Sequence, residues 1–179
     1  EAMEKAEYRK HFELEERHWW FRGRRKALLS LVRSARLGGR PIVWLDAGCG
    51  TGFNMALWRK LGEVHGCDFS ADALAFCRLR GLSNLVRADV QCLPYRDGSF
   101  DAVSFLDVLY HKNIRDDVSV LRDAHRLLKP GGAVLISDSA FPILTSRHDE
   151  AVHARERYRK KTLRRRVEAQ RGCHLPGGA

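Results

Sequence analysis

The 179-residue sequence predicts an α/β protein, a doubly wound parallel sheet with helices on both faces. Three observations carry that prediction. Five short apolar runs of strand length recur along the chain, and helix-length stretches ending near glycine separate most of them. The first run, Ile42 to Leu45, ends in Asp46 and passes at once into a turn built from Gly48, Gly50 and Gly52. Beyond Asp138 the apolar runs cease and the chain turns basic.

The composition fits that class. A hydrophobic fraction of 44% beside 30% charged residues is that of a globular chain rather than a disordered one. No apolar run approaches the roughly 18 residues that span a bilayer, and E-A-M-E-K-A-E-Y is no signal peptide. Five cysteines without a C-x-x-C pair point to free thiols in a reducing cytoplasm, with neither a disulfide framework nor a metal site. The net charge of +10 is unevenly placed. Residues 1–40 hold 11 Lys+Arg against 6 Asp+Glu, residues 41–146 hold 11 against 12, and residues 147–179 hold 10 against 4. Three parts follow: an N-terminal helical cap over 1–40, a nearly neutral core over 41–146, and a basic helix with a tail over 147–179. Solvated helix faces explain the basic flanks best; attraction to nucleic acid ranks last, because no nucleic-acid-binding motif accompanies it.

Residues 3–37 read as helix, since they contain no Pro and only Gly23. Within them lies H-W-W-F-R-G-R-R, residues 18–25, whose adjacent aromatics cannot all face one side of a helix. They either pack on the core or form a lid in which Trp19, Trp20 or Phe21 shields a ligand and Arg22 or Arg25 meets a carboxylate. The glycine turn after the first strand begins a helix near Asn54, and Gly62 ends that helix. Such a turn lets a ligand approach the backbone, where a helix start offers unpaired N–H groups. A dinucleotide fingerprint is excluded because Phe53 takes its third glycine position, and a phosphate-binding P-loop because no G-K-[ST] follows. The pattern D-x-G-x-G-x-G over Asp46 to Gly52 instead resembles the first motif of class I S-adenosylmethionine-dependent methyltransferases. The aromatic-arginine cluster resembles the start of their bacterial "type 11" group.

The second strand, Glu63 to Cys67, places Asp68 at a strand's carboxyl end about 20 residues past the glycines. One carboxylate there can accept from both hydroxyls of a ribose. The alternative is an N-cap for the next helix, which Ser70 fills equally well. Phe69 would lie against an adenine face. After a helix over Ala71–Arg80 and a strand over Asn84–Ala88, the segment A-D-V-Q-C-L-P-Y-R-D-G-S-F-D-A-V resembles the family segment that reads adenine. That resemblance implies Asp89 on the amino group and the Val90 N–H on a ring nitrogen. The fourth strand, following Asp101, runs into Leu106-Asp107-Val108-Leu109-Tyr110-His111, at the sheet edge where ligands of open α/β sheets bind. The resemblance implies that the Leu106 carbonyl accepts from the methionine ammonium. Asp107, Tyr110 and His111 would then face the methyl donor or acceptor, with His111 the first candidate base.

A helix over Asp116–Leu128, the turn L-K-P-G-G and a fifth strand over Ala133–Ser137 complete the family likeness. Together with Cys49 and Thr51 inside the glycine turn, these residues form the expected S-adenosylmethionine site, with S-adenosylhomocysteine as product. The fold implied is the Rossmann-like sheet of class I methyltransferases. Five strands are recognisable and the usual last two are not evident, since no strand-like run lies past Leu144. After about residue 169 the likeness stops, as in a truncated or frame-shifted C-terminus. Methyl transfer to an unidentified small-molecule acceptor is the implied activity; a non-catalytic cofactor binder is the alternative, and a monomer or a homodimer fits either.

Overall fold

The computed structural model describes residues 5–34 and 41–137. Ten elements follow in the order α1 (Lys5–Leu14), α2 (Trp19–Ser34), β1 (Ile42–Ala47), α3 (Met55–Trp58), β2 (Gly62–Asp68), α4 (Ala71–Leu79), β3 (Leu85–Arg87), β4 (Phe100–Leu106), α5 (Asp117–Leu127) and β5 (Leu128–Ser137). The five strands form one parallel sheet in the order β3-β2-β1-β4-β5. The winding direction therefore reverses between β1 and β4, the place where an open sheet leaves a crevice at its carboxyl edge.

Period-two alternation divides the core between the two faces of the sheet. Leu45, Ala47, Val103 and Phe105 pack with Val120, Leu121, Ala124 and Leu127 of α5. Trp44 and Ala102 point the other way, into a cluster with Met55, Trp58, Leu74, and Leu28 and Val32 of α2. There the Trp44 and Trp58 rings stack at 4.2 Å. Strands β1 and β4 are buried almost throughout, which is why they read as continuous apolar runs.

Several boundaries differ from the sequence expectation. The N-terminal stretch is two helices, broken by a turn over Glu15–Arg17. No Gly or Pro breaks it; Glu15 turns inward to buried partners instead. Helix α3 is a single turn, and Gly62 does not cap it. It opens β2, so close to β1 that a Cβ there would lie 2.1 Å from the Ile42 carbonyl oxygen. Between β3 and β4 the chain forms no helix. Arg126 of α5 holds that connection by donating to the Tyr95 and Leu93 carbonyls and pairing with Asp97 and Asp123. The L-K-P-G-G turn is a bulge at the start of β5, for Leu128 faces Phe100 while Ala133 faces Ala102. The 38–40 breaker, Asp138 and the whole of 147–179, with the basic helix and the truncation expectation, lie outside the described residues.

Candidate functional site

The site is built on the carboxyl ends of β1, β2 and β4. Gly48, Gly50 and Gly52 all adopt positive φ, at 75°, 54° and 78°, which folds the loop back over the strand ends. The Gly48 and Cys49 amides donate to the Cys67 carbonyl at 2.8 and 2.9 Å, tying the loop to β2. Each glycine has a different reason. A Cβ at Gly48 would strike Val108 at 2.5 Å, and one at Gly52 would strike Leu82 at 2.5 Å and the Cys77 sulfur at 2.9 Å. At Gly50 a Cβ would meet nothing within 4 Å, so the middle of the loop opens onto free space.

Asp68, buried at the end of β2, accepts from the Gly50 amide at 2.9 Å through Oδ2 and from the Ser70 amide at 2.9 Å through Oδ1. Ser70 is the N-cap of α4 and accepts from the Ala73 amide. Asp68 is thereby released from the capping role. A carboxylate has about four lone-pair sites, and the amides of Gly50, Ser70 and Phe69 do not fill them all. Burial raises the Asp68 pKa, with the Ser70 and Gly50 amides opposing. Tyr8 of α1 brings its hydroxyl to Ser70 and feels the Asp68 charge; burial first, then that charge, pushes it up to about 12. Nothing local in the sequence marked Tyr8. Phe69 is 43% exposed beside Asp68.

Asp46 is buried at the end of β1. The Trp44 indole N–H donates to Ser104 Oγ at 2.8 Å, and Ser104 donates in turn to Asp46 Oδ1. Burial raises the Asp46 pKa to about 7, opposed by the Ser104 hydrogen bond and by the Arg24 charge. Arg24, on α2, pairs with Asp107 and reaches Ser137 Oγ at 3.4 Å. Within the protein, the arginine of this cluster that pairs with a carboxylate is Arg24. Arg25 lies over the Phe53 ring at 4.5 Å and Arg22 is exposed. Phe21 packs edge-on against Phe53, whereas Trp19 and Trp20 stay 74% and 56% exposed.

A second contact pins the cap to the glycine loop. Arg80, at the end of α4, donates to the Thr51 carbonyl at 2.9 Å and pairs with Glu15 and Glu16 at 2.8 Å each. Thr51 Oγ1 donates to the same Glu15 carboxylate. The Thr51 side chain therefore faces the cap, and the Cys49 side chain is buried against Cys77.

The remaining sequence-predicted residues lie around the crevice. Asp89 is exposed and accepts from the Gln91 backbone and side-chain amides; Gln91 also donates to the Asn113 carbonyl and accepts from the Arg115 amide, joining the loops after β3 and β4. Val90 is buried next to Asp89, and Leu106 closes β4. Asp107 adopts φ 60° with its amide on the Ser137 carbonyl at 2.7 Å, which turns its side chain toward Arg24. Tyr110 is buried in the α5-side core, and His111 is half-buried. The Asn113 amide reaches His111 Nδ1 at 3.4 Å. Among the described residues no helix is long and apolar enough to cross a membrane, and no group of three or more His, Cys, Asp or Glu could hold a metal ion.

Comparison with known proteins agrees with this geometry. The family described as a methyltransferase domain matches residues 45–136. A malonyl-[acyl-carrier protein] O-methyltransferase of Pseudescherichia vulneris is 35% identical over 148 residues, covering 77% of this chain and 58% of that protein. A ubiquinone biosynthesis O-methyltransferase of Pseudomonas aeruginosa is 37% identical over 110 residues, 58% of this chain and 46% of that one. The chain thus spans about half the length of the curated relatives it matches. Among solved structures, a Haloferax volcanii putative methyltransferase in complex with the Trm112 activator superposes with a TM-score of 0.72 at 20% identity, over 93% of this chain and 74% of that one. An S-adenosylmethionine-dependent methyltransferase of Mesorhizobium loti gives 0.63 at 20%, over 79% and 78%. At that identity both show the shared fold.

Proposed function

The chain belongs to the methyltransferase-domain family, and from that premise we propose that it transfers the methyl group of S-adenosylmethionine to a small-molecule acceptor. The observation that carries the proposal is the ring of Asp46, Asp68 and Asp107 around an open glycine loop at the β1/β4 switch, with Arg24 among them. The methionyl end of the cofactor carries an ammonium, a sulfonium and a carboxylate; Asp46 and Asp107 with Arg24 match that charge pattern, and Asp68 is left for the ribose.

The pocket residues divide the cofactor between them. The remaining lone pairs of Asp68 take the ribose hydroxyls, Phe69 lies against adenine, and Asp89 with the Val90 amide reads the adenine edge. Gly50 leaves room for the loop backbone to approach the ligand, while Gly48 and Gly52 let the loop pack closely on Val108, Leu82 and Cys77. The Leu106 carbonyl takes the ammonium, Arg24 the carboxylate, and Asp46 balances the positive charge from below. Bound S-adenosylmethionine supplies a methyl group on a good leaving group, so the protein has mainly to position the acceptor and keep water out. The cap latched by Arg80 and Glu15 serves that exclusion. Asp107 and His111 border the acceptor, and Tyr110 holds their loop on the core. For an acceptor that must lose a proton, His111 is the candidate base. The O-methyltransferase names of the two relatives support an oxygen acceptor.

Calorimetric titration with S-adenosylmethionine and S-adenosylhomocysteine, beside Asp68→Ala, tests the pocket. We expect micromolar binding that the variant weakens about 100-fold, the equivalent of roughly 3 kcal/mol. Equal affinity in both proteins would remove Asp68 from the site.

A further inference from the structure

The glycine loop carries a second chemistry. Cys49 lies between Gly48 and Gly50, and its sulfur stands 3.8 Å from that of Cys77 on α4. Both thiols are free and buried, Cys49 with 6% of its surface exposed and Cys77 with none. Cys77 also donates to the Gly50 carbonyl at 3.1 Å, so the pair spans the floor of the loop. A disulfide has its sulfurs about 2.05 Å apart, so closure takes about 1.8 Å of approach, within the reach of side-chain rotation and a small backbone shift.

We propose that Cys49 and Cys77 form a reversible disulfide that closes the cofactor loop under oxidising conditions. The inference rests on the assignment of this loop as the cofactor cradle. With hydrogen peroxide as oxidant the step balances. The Cys49 thiolate attacks the O–O bond to give a sulfenic acid and water; the Cys77 sulfur then displaces the sulfenic oxygen as a second water, forming S–S. Two thiols are oxidised and one peroxide is reduced, and a dithiol reverses the change by exchange.

The hydrogen bond with Cys77, and then burial, hold the Cys49 thiol well above its ordinary pKa. In the closed structure it is therefore a poor nucleophile. Oxidation requires the loop to admit water, and a cofactor lying over the loop slows it. Once formed, the bond distorts the cradle, because the loop has no slack. A Cβ at Gly52 would already lie 2.9 Å from the Cys77 sulfur, and Gly50 is tied to Asp68.

The test treats the reduced full chain and Cys77→Ala with hydrogen peroxide, with and without S-adenosylhomocysteine. Non-reducing peptide mapping and calorimetry follow. Expected are a Cys49–Cys77 linked peptide in the parent chain, slower formation with ligand, affinity weakened about tenfold or more and restored by dithiothreitol, and no such loss in Cys77→Ala. Oxidation of the exposed Cys92 without a Cys49–Cys77 link overturns the proposal, as does a link that leaves affinity unchanged. A reduced chain that binds no cofactor overturns instead the function proposed above, and the peptide map still reads the disulfide by itself.

Discussion

Both faces of the sheet carry an apolar core, and only the face under the cap adds a network of buried acids to it. Under α5, Val103, Phe105, Val120, Leu121 and Leu127 meet with almost no exposed surface, and their burial is a source of stability at about 25 cal/mol per Å² of apolar area. On the other face, under the cap, Asp46, Ser104 and Thr51 are buried beside Trp44 and Trp58, and Glu15 and Arg80 close the edge. Burying those acids works against folding, because desolvation disfavours their charged forms. Both cores hold the domain together, and the cap face spends part of that stability on holding charge where a ligand can meet it.

The contrast can be broken by substitution. Phe105→Ala should lower unfolding stability by about 3–5 kcal/mol in urea titrations, with cofactor affinity per folded molecule unchanged. A loss of affinity as large as the loss of stability would show that the two faces are not separable. On the cap face, Arg80→Met leaves Glu15 buried without its cation and should remove about 3 kcal/mol. It should also expose the 5–34 cap to limited proteolysis, which Phe105→Ala below its unfolding transition should not.

Asp46 sharpens the comparison through pH. Its folded pKa of about 7 lies above the unfolded value of about 3.9. The group's contribution is therefore fully present below about pH 4 and is lost as pH rises through 7. Thermal unfolding of the ligand-free chain should show that decline between about pH 4 and 7, levelling off above. Asp46→Asn should lack it and be more stable by about 2 kcal/mol at pH 8. Cofactor binding has the opposite sign, since a positively charged ligand favours ionised Asp46. Affinity for S-adenosylmethionine should rise over the same interval, more than that for the uncharged thioether product. The smallest effect lies at the exposed rim of the α5 face, where the His65 ring packs on Phe100. The His65–Glu63 pair at 2.9 Å is exposed, and Glu63→Gln should change stability by less than about 0.5 kcal/mol.

Much of the sheet was legible before any coordinates. Strands β1 and β4 read clearly because strands buried on both faces are mostly apolar. The glycine loop was found because positive φ and close approach leave few residue choices. The break at Glu15–Arg17 was not legible, since nothing local breaks a helix there; the turn exists to bring Glu15 to Thr51 and Arg80. Nor could the choice among Arg22, Arg24 and Arg25 be read, because neighbouring positions differ by about 100° around a helix. Only the way α2 lies against β4 and β5 decides which guanidinium meets Asp107.

By itself, then, the chain's order of residues determined the local grammar of this protein: strand, glycine turn, helix, repeated, with an acid at the end of β1 and another at the end of β2. Those features depend on backbone preference and on hydrophobic periodicity, which act over a few residues. Tertiary structure alone decided which distant groups share a charge or a contact: Arg24 with Asp107, Arg80 with Glu15, Tyr8 with Ser70 and Cys49 with Cys77. Such pairs form through space between elements far apart in the chain, so their distances are fixed only when the cap and α4 pack against the sheet.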